Sequence, residues 1–185
     1  MRTTLSALIV LLISSMVPAL GQTVLFQDAE LIQAAKVGDY DRTRLALIKG
    51  DNSDTANFEN ETPFIVASKG EYIDILELLL EYNASINWQD SLGNTALFYA
   101  VDKSSYDLVD FLLENNAMQN ITNKSGVTPL MTAAIIGDRD VLHLLLNKNP
   151  DLTLKDYTGR TLLDYARDSR NRDAVNILSK AGATD

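Results

Sequence analysis

The chain has 185 residues, 46% hydrophobic and 22% charged, a composition of globular rather than disordered or membrane type. Lys plus Arg number 16 against 25 Asp plus Glu, and the net charge of −9 argues against nucleic acid, whose phosphates need a basic surface. With no cysteine, the chain has no disulfide, no thiolate zinc site and no cysteine nucleophile.

The first element is an export signal over residues 1–21. Arg2 supplies a positive start, Leu5 to Val17 a mostly apolar stretch, and Ala19 and Gly21 the small residues before a cut at Gln22. The apolar stretch is shorter than the roughly 20 residues of a spanning helix, so cleavage is expected rather than stable membrane insertion. Residues 22–28 (QTVLFQD) read as a short lead-in.

From there a period of 33 governs the chain. Thr62, Thr95, Thr128 and Thr161 open the segments TPFIVA, TALFYA, TPLMTA and TLLDYA, and AELIQA at Ala29 fits the same frame. The sixth place is Ala34, Ala67, Ala100, Ala133 and Ala166, small enough to let first helices approach closely. The third place is Leu31, Phe64, Leu97, Leu130 and Leu163, an apolar anchor. Second helices carry Ile75-Leu76 with Leu78-Leu79-Leu80, Leu108-Val109 with Phe111-Leu112-Leu113, and Val141-Leu142 with Leu144-Leu145-Leu146. That spacing makes a wide apolar helical face. Each second helix meets Gly50, Asn83, Asn116, Asn149 or Gly182, the two residue types that best tolerate a left-handed helix end. Asn60, Gly93, Gly126 and Gly159 predict a second left-handed position, in a hairpin before each threonine.

These segments resemble the T-P-L-H-x-A signature of the ankyrin repeat, over residues 29–185. The resemblance implies an all-α solenoid of five 33-residue helix-turn-helix repeats joined by β-hairpin loops, with repeats at 29–61, 62–94, 95–127, 128–160 and 161–185. Arg42-Thr43-Arg44 with Ala46 replaces the aliphatic run of the interior repeats, and Ser179 stands where they have Leu80, Leu113 and Leu146, as terminal caps require. The signature His is replaced by Ile32, Ile65, Phe98, Met131 and Asp164; apolar packing substitutes in four repeats, and Asp164 has no sequence-level account.

No chemistry of the catalytic kind stands out. The aligned Asp41, Asp74, Asp107, Asp140 and Asp173 read as anions accepting amide hydrogen bonds at second-helix starts, not as metal ligands. The oxygen-rich run Asp51 to Asn57 lacks the central Gly and terminal Glu of a calcium loop. His143, the single histidine, falls on an outer, solvated position without partners for a triad or zinc. No catalytic residue, cofactor or metal ligand is therefore assigned.

The resemblance implies recognition of another protein by the hairpin tips and the exposed side of the first helices. Phe58, Trp88, Leu92 and Tyr157 lie near the tips, and the variable fifth place holds Gln33, Val66, Tyr99, Thr132 and Tyr165. Ile135-Ile136 replace Lys69-Gly70 and Asp102-Lys103 of neighbouring repeats. The expected contact set is Tyr99, Ile135, Ile136 and Tyr157, with Leu92 and Tyr165 beside them. Against this stands the reading that each aromatic packs on its own hairpin. Resemblance to small exported ankyrin proteins of bacterial type further implies a periplasmic or secreted monomer. Such a protein would support an enzyme such as a catalase in peroxide stress, or neutralise a toxin as its immunity partner.

Overall fold

A computed structural model describes residues 29–170 and 172–184. The expected signal peptide and lead-in fall outside them. Ten helices are described: α1 Glu30–Lys36, α2 Tyr40–Ile48, α3 Pro63–Gly70, α4 Ile73–Glu81, α5 Ala96–Asp102, α6 Tyr106–Glu114, α7 Pro129–Ile136, α8 Arg139–Leu146, α9 Leu162–Asp168 and α10 Arg172–Lys180. They form pairs, first helix against second. None of them is long and apolar enough to cross a membrane.

Each first helix from α3 onward starts where its threonine dictates. Thr62, Thr95, Thr128 and Thr161 hydroxyls accept the amides of Ile65, Phe98, Met131 and Asp164, which would otherwise lack partners. Pro63 and Pro129 fit the first turn, where a missing N–H costs nothing. Asp164 now has a physical account: its Oδ2 accepts the Thr161 amide at 2.9 Å, completing a reciprocal cap.

The first helices stack in order, α1 on α3, α3 on α5, α5 on α7 and α7 on α9. The alanine column allows this, each member at most 1% exposed. The second layer packs α2 on α4, α6 on α8 and α8 on α10. Ile75, Leu76, Leu79, Leu108, Val109, Leu112, Val141, Leu142 and Leu145 fill the space between layers. At the first repeat, Arg42 occupies the place of Ile75 and is held by Glu30 at 2.6 Å, leaving a charged end.

Helix ends follow the predicted columns and add one. Gly50, Asn83, Asn116, Asn149 and Gly182 all have positive φ, and Asn60, Gly93, Gly126 and Gly159 do as well. A third left-handed column, Gly38, Glu71, Ser104, Gly137 and Arg170, ends the first helices. Its residue types vary too much for the sequence to announce it.

Two expectations are corrected. Asp41, Asp107 and Asp140 do not cap their helices. In α2 and α8 the cap is Asp39 and Asp138, two residues earlier, accepting from Arg42 and from Asp140 and Val141. Asp74 accepts the amide of Ile75. Asp41, Asp107 and Asp140 sit in the first turn, where they favour the positive helix end without closing it. The loops before the threonines contain no strand among the described residues. Each is a tight turn closed by bonds such as Gly93 N–H to Asp90 C=O and Asp90 N–H to Asn94 C=O, too short for a ladder.

Candidate protein-binding face

The loop tips are built by one side chain each. Asn57, Asp90, Asn123 and Asp156 lie 33 residues apart, and each Oδ1 accepts two amides of its own turn. Successive tips are then tied by backbone bonds, Ser91 to Glu59 at 2.7 Å, Lys124 to Leu92 at 2.9 Å and Tyr157 to Ser125 at 3.1 Å. The approach is close enough that a Cβ on Gly126 would lie 2.7 Å from the Tyr157 nitrogen, so glycine is required there by space as well as by φ. The result is a fixed row of tips. Leu92 and Tyr157 stand on it 60% and 74% exposed, with Phe58 also exposed.

The two expected tyrosines of the fifth column behave differently. Tyr165 is 7% exposed, and its hydroxyl donates to Asp156 Oδ2 at 2.7 Å. Tyr99 is half-buried and its hydroxyl donates to Asp90 Oδ2. Both brace their own loop, so Tyr165 leaves the exposed contact set and Tyr99 stays only partly exposed. The bracing is matched to the turn residue. Where the turn holds Asp, the fifth place is Tyr; where it holds Asn57 or Asn123, the fifth place is Val66 or Thr132. A carboxylate needs a donor, whereas an amide brings its own: Asn57 Nδ2 donates to Glu61 and Asn123 Nδ2 to Asn94. Trp88 likewise serves the stack, donating from Nε1 to the Asn60 carbonyl at 3.0 Å.

Electrostatics follow the same bracing. Burial pushes the Asp156 carboxyl up, but donors Tyr165, Thr158 and Arg160 outweigh it and hold the group well below the usual carboxylate range. Burial and the Asp156 charge push the Tyr165 hydroxyl up to about 12. Burial also pushes Glu61 up, and hydrogen bonds from Lys69 and Asn57 overcome it, so its acidity increases. Lys69 lies over the Tyr99 ring at 4.0 Å and Arg160 over Tyr165 at 4.3 Å.

Ile135 and Ile136 end α7 at 42% and 38% exposure. The structure thus keeps Leu92, Ile135, Ile136 and Tyr157 open on loop tips and a first-helix end. Among the described residues no group of three His, Cys, Asp or Glu side chains could hold a metal ion.

The chain matches the family of ankyrin repeats (3 copies) over residues 31–123 and 115–185. It belongs to the ankyrin-repeat family, whose members are in general protein-interaction scaffolds and typically not enzymes. No curated protein compared with it matches.

Proposed function

We propose that the chain is an exported scaffold of five ankyrin repeats that holds a partner protein against its loop tips and first-helix ends. One observation carries the reading: Leu92, Ile135, Ile136 and Tyr157 are exposed at positions the repeat leaves free, where a solvated surface is normally polar. Five repeats account for the ten described helices and for the charged end at Arg42. Export rests on the order of residues 1–21, with a mature start at Gln22. Mass spectrometry of the natural protein tests that part; an intact Met1 would end it. Capture of partners from the exported fraction, followed by titration with Leu92→Ala, Ile135→Ala and Tyr157→Ala, tests the rest. Binding indifferent to all three would place the interface elsewhere. The partner's own identity, a catalase or a toxin, would select between the two roles.

A further inference from the structure

The contacts between each loop and its first helix change character along the stack. Residues eight apart form an ion pair in two repeats, Glu61 with Lys69 and Arg160 with Asp168, with the signs reversed. At the same two places the intervening repeats have Asn94 and Asp102, then Val127 and Ile135. Charged pairs therefore flank one carboxylate and one apolar window. No hydrogen bond or ion pair among the described residues engages the exposed Asp102 carboxylate. Two neighbouring cations are paired elsewhere, Lys69 with Glu61 and Lys103 with Glu71 at 3.4 Å. Helices α5 and α7 pack directly, so Asp102 and Ile135, at equivalent places, are separated by a helix-packing distance of roughly 8–10 Å.

We propose that this window takes an extended polypeptide segment bearing an apolar side chain and a Lys or Arg two or three residues apart. The apolar group lies on Ile135 and Ile136, and the cation meets Asp102. Extended chain advances about 3.3–3.6 Å per residue, so that spacing bridges the two positions. The inference rests on the partner-binding reading and adds the chemistry of what is bound.

The test pans a displayed random dodecapeptide library against the full chain, then synthesises the most enriched peptide. Enriched sequences should pair an aliphatic or aromatic residue with Lys or Arg at that spacing. Ile135→Ala with Ile136→Ala should weaken the peptide at least about tenfold, and Asp102→Asn about fivefold with loss of its salt dependence. Asp102→Lys should transfer the preference to the same peptide with its cation changed to Glu. Circular dichroism and thermal melts check that the variants fold. An empty selection, or enrichment without the basic residue, would overturn the proposal. Binding lost with Leu92→Ala or Tyr157→Ala but indifferent to Asp102 and Ile135 would overturn it while leaving the partner-binding face standing. Indifference to all of these would remove both. Sedimentation showing a dimer that Ile135→Asp dissociates would give the window to a second copy and overturn it too.

Discussion

The Tyr165 hydroxyl donates to Asp156 Oδ2 at 2.7 Å, and Asp156 Oδ1 in turn accepts the amides of Thr158 and Arg160. One buried carboxylate thus joins the last first helix to the last loop tip, so the tip carrying Tyr157 is anchored by this link as well as by its backbone bond to Ser125.

Tyr165→Phe should destabilise the chain by about 2 kcal/mol at neutral pH, because a charged acceptor loses a donor. The difference should depend on pH in two directions. Asp156 is held below its ordinary 3.8, so its contribution is complete above that value and is lost as pH falls below it. Tyr165 is raised from 10.0 to about 12, so its contribution is complete below pH 10.0 and disappears as pH rises through that window. Urea unfolding of both proteins at neutral pH, at about pH 2 and at about pH 11 gives the three gaps. A gap that stays constant would mean the hydroxyl and carboxylate are not coupled.

Ser104 sits at φ 53, in the column where Gly38 and Gly137 adopt the same conformation. A non-glycine residue held there costs about 1–2 kcal/mol, partly offset by the larger entropy glycine loses on folding. Ser104→Gly should therefore stabilise by about 0.5–1 kcal/mol. Gly137→Ala should do the opposite. Equal melting temperatures for wild type and both variants would show that this column carries no strain.

Ala100 is fully buried between α3 and α7 in the first-helix layer. Ala100→Leu should cost about 1–3 kcal/mol by overpacking, and hydrogen exchange should rise in the repeats on both sides, since repeats depend on their neighbours. A variant unfolding at the wild-type urea concentration would place residue 100 away from a close contact.

How far these positions could be read in the sequence depended on whether one residue type alone does the job. Only a small residue fits at Ala34, Ala67, Ala100, Ala133 and Ala166, and Gly or Asn best tolerates the second-helix ends, so both columns announce themselves. The first-helix ends tolerate Glu71, Ser104 and Arg170 at positive φ, and that column stayed hidden. Tyr165 was misplaced for another reason. Its column varies, which looked like freedom, but it varies together with the turn residue nine positions earlier. The pairs Asp90 with Tyr99 and Asp156 with Tyr165 were present in the sequence; a column taken singly does not reveal them. The aspartate column lay within one turn of the true caps at Asp39 and Asp138, and charge at a helix start does not by itself say which residue accepts the amides. Exposure of Leu92 and Tyr157 was legible because turn tips point outward wherever the period places them.

Binding and stability should separate cleanly between the tyrosines. Tyr157 is 74% exposed and makes no side-chain bond to its own turn, whereas Tyr165 is buried in one. Tyr157→Ala should therefore weaken a captured partner by about 2 kcal/mol, about thirtyfold, while moving stability by roughly 0.5 kcal/mol or less. Leu92→Ala and Ile135→Ala should follow it with smaller losses, since aliphatic truncations at an interface usually cost less than aromatic ones. Tyr165→Phe should show the reverse, with lower stability and near-normal affinity at temperatures where it remains folded. Glu77→Ala, on the exposed side of α4, should change neither quantity appreciably. Calorimetric titration of the five proteins against one partner, beside urea unfolding of each, supplies both axes. If Tyr165→Phe loses affinity in proportion to Tyr157→Ala, the loop tip is being felt through its anchoring rather than its surface. If Glu77→Ala loses as much as either, the second-helix side is the interface and the loop row is a structural spine alone.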